Sequence, residues 1–369
     1  MSGSHTTILE HAGIPKHAGI PEHAGIPVHA GWYLPAEWER HSRCWMAWPC
    51  REAAWKGGIE AAKAAYAEAA CAIAVFEPVT MVCNHEDAVD VSLACGSGVQ
   101  VLPMEIGDSW MRDTAPSFLT NAAGGVAGVH WRFNAWGGLY PDYQIDATLG
   151  RRLLDHLALP CFEAPMVLEG GAVSVDGVGT LLTTEACLLD PRRNPGFERP
   201  DIESILRDRL GITSVIWLGE GYQDDETGGH VDEIACFVRP GTVLALFTDD
   251  PADGNFKALQ DNLDRLQKAR DAHGRELEVI PIRQPARRDL NGTRLTLSYT
   301  NLYIANGGVI MPGFEDAADQ EAYRTVRRLF PDHEVIQISA LDIVAGGGGI
   351  HCITREQPAP LPTVRDSDI

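Results

Sequence analysis

The sequence predicts an α/β protein, a five-bladed pseudo-symmetric α/β propeller made of ββαβ units. Three observations carry that expectation. The turn pairs Asp176-Gly177, Pro240-Gly241 and Asn306-Gly307 each stand between β-rich runs, which is the pattern of tight hairpins. Gly241 and Gly307 follow the preceding turn glycine by 64 and 66 residues. After each hairpin comes an amphipathic stretch of helical period, near 201–210, 256–272 and 317–329, and then a short β-rich run at 214–218, 277–282 and 334–338.

Two fainter copies complete the set. One places Gly124-Gly125 between β-rich runs at 117–121 and 126–133, with a helix expected near 147–158. The other uses an Ala-rich helix near 59–76 and a strand at 78–84. Five copies of about 65 residues point to a repeat architecture, and units arranged around an axis leave a central site. Ahead of them, a six-residue unit starts at His11, His17, His23 and His29, each reading His-Ala-Gly. Its recurring Gly and Pro oppose helix and central strand alike, so residues 1–31 are expected to be a flexible leader rather than a metal-binding His tract. Residues 32–362 then form a single catalytic domain and 363–369 a tail.

Composition narrows the function. With 51 acidic against 30 basic side chains the net charge is −21, which disfavours nucleic acid and suits a cationic small molecule. No apolar run reaches the ~18 residues of a membrane span, and the N-terminus has no basic-then-apolar signal pattern. The nine cysteines are irregularly spaced without a CxxC pair. Free thiols, a cytoplasmic location, and neither structural metal nor cofactor are expected.

In a propeller, the segments just before each blade's first strand converge on the axis. Those segments hold Asp113, Glu169, His230 with Asp232, and, expected on a final short strand, His351-Cys352. A Cys with a distant His and acid serves proteases, transferases and guanidine hydrolases. The additional carboxylates favour the last, because a planar guanidinium is held by paired, charge-assisted hydrogen bonds. In that reading Asp113 and Asp232 bind the cation, Cys352 attacks its carbon, His230 acts as acid and then base, and Glu169 orients His230. Asp108 and Trp110 are further substrate-contact candidates. Each has a plainer alternative: Cys352 as a buried small hydrophobe, His230 as a satisfied surface histidine, Glu169 as a strand cap, Trp110 and Trp136 as core. The glycines at 346–349 allow a ligand or backbone to come close to Cys352.

The segments LPAEWERHSRCWMAWP (34–49), DSWMRDTAP (108–116), WRFNAWGG (131–138), LEGGAVSVDGVGTLLTTEACLL (168–189), RRNP (192–195), DDETGGHVDEIACFVRPG (224–241), SYTNLYIANGGVIMPGF (298–314) and GGGGIHCITREQP (346–358) together resemble the agmatine deiminase family. That family belongs to the guanidine-modifying pentein superfamily and is related to bacterial-type peptidylarginine deiminases. The resemblance spans about residues 32–362. It implies the pentein propeller, a homodimer, and metal-independent conversion of agmatine and water to N-carbamoylputrescine and ammonia in polyamine biosynthesis. Cys352 matches its covalent nucleophile, His230 and Asp232 its HxD element, Asp113 its guanidinium-binding Asp, and Glu169 the Glu of its EGG element. The departures are Gly349 and Glu233, where Asn is usual at both, Ala115 in place of Gly, and a shortened segment between residues 281 and 295. Alternatives are a peptidylarginine deiminase, or a free-arginine deiminase with Arg112, Arg132 or Arg294 reading the carboxylate. Amidino transfer and an inactive polyamine- or protein-binding propeller are further alternatives.

Overall fold

Each turn pair read from the sequence makes its hairpin, and each hairpin gains a parallel third strand through a helix. In the computed structural model, which describes residues 25–360, Ala235–Arg239 runs antiparallel to Thr242–Phe247, which pairs in parallel with Glu278–Arg283. Helix Phe256–Lys268 makes the crossover. An antiparallel partner is reached through a tight turn, whereas a parallel one needs a crossover of this kind. The unit recurs as Tyr303–Ala305, Gly308–Gly313 and Glu334–Ser339 around helix Asp319–Leu329. It recurs again as Ser174–Val175, Thr180–Thr184 and Ser214–Leu218 around Arg199–Leu210, and as Ser117–Asn121, Val126–Arg132 and Cys161–Val167 around Leu149–His156. Helix Asp319–Leu329 shows the packing rule: it buries Ala322, Thr325 and Val326, at the three- and four-residue steps that share one face.

The fifth blade is assembled from both ends of the described chain. Thr354–Pro358 lies antiparallel to His41–Ala47, which continues in parallel to Val79–Cys83 and Val99–Pro103. Trp45 Nε1 donates to Gln357 Oε1 at 2.9 Å across the join. This copy reads as degenerate in sequence because its first strand lies at the other end of the chain. Its helix Ala88–Cys95 and fourth strand Val99–Pro103 were not anticipated. The result is a five-bladed α/β propeller, and neighbouring inner strands touch: Phe237 N donates to Ser174 Oγ at 3.0 Å.

Two local expectations need correction. His351 and Cys352 do not lie on a strand; they sit in the turn before Thr354–Pro358. The packed region also begins before residue 32, because Pro27–Ala30 forms a 3₁₀ turn closed by Gly31 at φ 77°, Pro27 is buried, and Arg209 Nη1 donates to Gly25 O. Proline at the first position of that turn lacks only a donor the turn does not need. The rest of the expected leader, residues 1–24, and the tail 363–369 lie outside the described residues. Among those described, no helix is long and apolar enough to cross a membrane.

Candidate active site

The segment ahead of each blade's first strand delivers one part of the site. Asp113 stands in the short helix Met111–Thr114, Glu169 leads into the turn Gly170–Ala172, and His230 precedes the turn Val231–Glu233 that contains Asp232. The fifth blade supplies Cys352. The remaining blade supplies Asn301, just before Tyr303–Ala305, and sequence reading passed over it. Asn301 stands only six residues before the turn glycine Gly307, closer than the eight to eleven residues of the other blades, so the spacing alone does not point to it.

Cys352 Sγ, 4 % exposed, lies 3.1 Å from Asn301 Nδ2, 3.5 Å from Asp232 Oδ2 and 3.6 Å from Glu233 Oε1. Asp113 Oδ1 accepts from Gly171 N at 2.9 Å and its Oδ2 from Trp136 Nε1 at 2.9 Å. Trp136 reaches that position from a strained segment in which Ala135 and Trp136 have φ of 53° and 54°, a conformation kept where function demands it. His230 is fully buried, and neither ring nitrogen has a nitrogen or oxygen hydrogen-bond partner among the described residues. Asp113 Oδ2 stands 3.9 Å from its Nδ1. A satisfied surface histidine is therefore excluded, and an unpartnered buried ring calls for a functional explanation.

Glycines hold the space open. A Cβ on Gly171 would lie 2.6 Å from His230 Nδ1 and 2.8 Å from Asp232 Oδ2, and one on Gly170 would strike Arg112 O at 2.2 Å. The EGG element is thus a steric requirement of the cluster. In the run before the nucleophile, a Cβ on Gly348 would press on Trp110 and on Cys352 itself.

Charge sets the protonation states. Burial, then Asp232, Glu233 and Asp113, push the Cys352 thiol well above its usual range. Burial opposes a charged His230, but Asp113, Cys187 and Asp232 outweigh it and raise its pKa. Burial also raises Asp113, with Asp232 and Glu169 adding to it against His230. A cleft opens onto this cluster, lined by Trp110, Asp113, Trp136, Tyr140, Glu226 and Cys352 among others. Trp110 is both core and wall: it stacks on Trp55 at 5.5 Å and faces the cleft.

Asp108 does not line this cleft. Its carboxylate faces Arg51 Nε at 3.2 Å and accepts from Ser109 N at 2.8 Å, and burial raises its pKa to about 7. Glu169 gives one oxygen to Arg193 Nε at 2.9 Å and does not hydrogen-bond His230, although a carboxylate oxygen lies within 4.8 Å of a ring nitrogen. Two donor triplets have metal-like spacing, Glu169 with Cys187 and His230, and Asp232 with Glu233 and Cys352. Arg193 on Glu169 and His351 on Asp232 already place a cationic partner against each, which disfavours a metal ion there.

Comparison with known proteins decides the family. The model of Porphyromonas-type peptidyl-arginine deiminases matches residues 33–358. The chain belongs to this family. A Legionella pneumophila protein is 48% identical over 88% of this chain and 94% of its own. The agmatine deiminase of Stutzerimonas stutzeri is 45% identical over 89% of this chain and 96% of its own. Among solved structures, the agmatine deiminase of Enterococcus faecalis matches with a TM-score of 0.88 and 35% identity, over 92% of this chain and 99% of that one.

Within this deiminase family member, two of the departures meet on one side chain. Asn301 Nδ2 bridges Cys352 Sγ and Glu233 Oε1, the latter at 3.0 Å, and its Oδ1 accepts from His351 N at 2.8 Å. A Cβ on Gly349 would lie 2.4 Å from that Oδ1, so in this chain the bare glycine is what admits the Asn301 amide. Ala115 instead packs in an apolar cluster with Met111 and Phe118. Glu233 is 1 % exposed, its Oε2 has no partner among the described residues, and burial followed by Asp232 and Asp225 raises its pKa well above the usual range. A carboxyl raised on folding supports the fold only at low pH, and that support is lost as pH rises from its unfolded value of about 4.5 through its folded one. Glu233→Gln is therefore expected to raise the thermal midpoint at pH 8 by about 3 °C, with the gap closing toward pH 5 in thermal melts.

Proposed function

We propose that this protein is an agmatine deiminase, hydrolysing agmatine to N-carbamoylputrescine and ammonia through an amidino-cysteine on Cys352. One observation carries the reading: Cys352 and Asp113 line one aromatic-walled cleft, with Asp232 3.5 Å from the thiol and the buried His230 3.9 Å from Asp113. Asp113 and Asp232 hold the planar cation by charge-assisted hydrogen bonds. The cation also offsets the acidic surroundings that keep Cys352 protonated, so substrate entry favours the thiolate. Sulfur attacks the guanidino carbon. His230, held protonated by Asp113, gives its proton to the departing ammonia, then takes one from the water that hydrolyses the thiouronium. Glu169, itself braced by Arg193, adds negative charge beside the ring. No metal or cofactor enters these steps.

Substrate choice rests on the wall and mouth of the cleft. Arg112 is engaged by Glu356 at 2.6 Å, Arg294 by Asp253 at 2.9 Å, and Arg132 is exposed on its strand. None of the three lines the cleft, so none of them is placed there to meet the carboxylate of free arginine. Glu226 lines it with a side chain 32% exposed, next to Lys56. That carboxylate, shared with Lys56, suits the terminal ammonium of agmatine. Glu226→Gln is expected to raise KM for agmatine about fourfold, with kcat changed less than twofold, the loss expected of a partly exposed charge pair.

Ammonia release from agmatine, free arginine and a blocked arginyl peptide, measured in parallel with Cys352→Ala as control, tests the reading. Turnover of agmatine alone supports it; turnover of the peptide or of arginine instead keeps the chemistry and overturns the substrate. On the family resemblance and the nine free thiols, we further infer a cytoplasmic homodimer serving polyamine synthesis. Light scattering of the purified chain checks the dimer.

A further inference from the structure

The LPAEWER segment and His351 have no part in the chemistry of Cys352 and His230 described above, and the fold joins them. His351 Nδ1 lies 2.8 Å from Asp232 Oδ2, and its Nε2 lies 3.0 Å from both oxygens of Glu37. A carboxylate only accepts, so each ring nitrogen must donate, and an imidazole that donates from both nitrogens is an imidazolium. The third charged group facing it is Arg112. Arg112 Nη1 sits 3.5 Å from Glu37 and 2.6 Å from Glu356, Nε donates to His351 O at 3.2 Å, and the backbone N donates to Cys352 O at 3.1 Å. The frame that holds the ring therefore also holds the backbone of the nucleophile.

We propose that His351 is a positioning residue: carried as a cation between Glu37 and Asp232, it holds one oxygen of Asp232 and turns the other to the substrate guanidinium. The proposal deepens the deiminase reading and rests on it. Asp232 Oδ1 has no partner among the described residues, which leaves that oxygen for a ligand. Asp113 and Glu233, the two carboxyls beside it, are both pushed toward the protonated form by burial and by Asp232. Of the three, Asp232 is the one hydrogen-bonded to His351, and its free oxygen is the one placed to share the cation with Asp113. Burial and Arg112 push His351 down, but the Glu37 charge and the hydrogen bonds to Asp232 and Glu37 raise its pKa to about 9. Glu37 itself is held well below the carboxylate range, because His351 and Arg112 outweigh its burial.

Two measurements test this. The first follows the His351 imidazole resonance, assigned by its loss in His351→Gln, through a pH titration of the substrate-free protein. A midpoint well above 6.5 is expected, falling by about two units in Glu37→Gln and staying high in Glu37→Asp. The second is kcat/KM for agmatine against pH. Glu37→Gln should lose about tenfold at pH 8 and much less at pH 6, where the ring is still charged, with Glu37→Asp recovering most of the loss. A wild-type His351 that titrates near 6.5 overturns the proposal, as does an equal loss at every pH without a shifted midpoint. The titration needs no substrate. A raised midpoint in a protein that turns over no guanidine therefore supports the charge state while counting against the deiminase reading.

Discussion

Cys352→Ala is expected to abolish ammonia release from agmatine, by a factor on the order of 10⁶, because residues that act as one covalent unit fail together when the nucleophile is removed. Substrate affinity should survive, since Asp113, Asp232 and the aromatic wall remain. Stability should hold or improve slightly. The thiol sits among three carboxyls that push it away from ionisation, and its removal leaves Asn301 Nδ2 bonded to Glu233. Acid-quenched wild-type protein should carry the amidino group on the peptide containing Cys352, read by mass spectrometry. An adduct on another cysteine, or turnover that persists in the alanine variant, would sink the assignment.

Asp232→Asn should cost kcat/KM roughly a thousandfold, the result of truncating one member of a buried charge pair at about 4 kcal/mol. The amide faces two donors, His351 Nδ1 on one side and the guanidinium on the other. It can offer its single oxygen to only one of them and must point N–H at the other. The same substitution removes the charge that, after burial, does most to raise the Cys352 thiol. Alkylation of resting Cys352 by iodoacetamide should consequently become faster while catalysis collapses. Those opposite signs separate loss of guanidinium binding from general damage to the site. Slower alkylation together with lost activity would indicate misfolding and count against the assigned role of Asp232.

The hairpins were legible because their information is local. A turn that needs positive φ selects glycine, as Gly241 and Gly307 confirm at φ 75° and 80°, and a helix that packs on a sheet shows its period. The expected convergence of Asp113, Glu169, His230 and Asp232 rested on their places eight to eleven residues before the turn glycines of repeated units, and that of Cys352 on the last short segment of the chain. Asn301 falls outside that range of spacings, and an amide suggests no chemistry until a thiol stands 3.1 Å away. Asp108 was over-read for the converse reason: its nearness in sequence to Asp113 says nothing about Arg51, which takes its carboxylate aside.

What the sequence determined by itself was the repeated ββαβ unit, the order of the chemical groups along it and the acidic character of their meeting place, since each depends on turn chemistry, periodicity or residue type. Only the tertiary structure decided the closure of the ring by Thr354–Pro358 on His41–Ala47 and the pairing of Glu37 with His351. It alone also brought Gly349, Asn301 and Glu233 together. These rest on desolvation and on charges contributed by distant blades, and a buried charge is settled by the partners that surround it rather than by its neighbours in sequence.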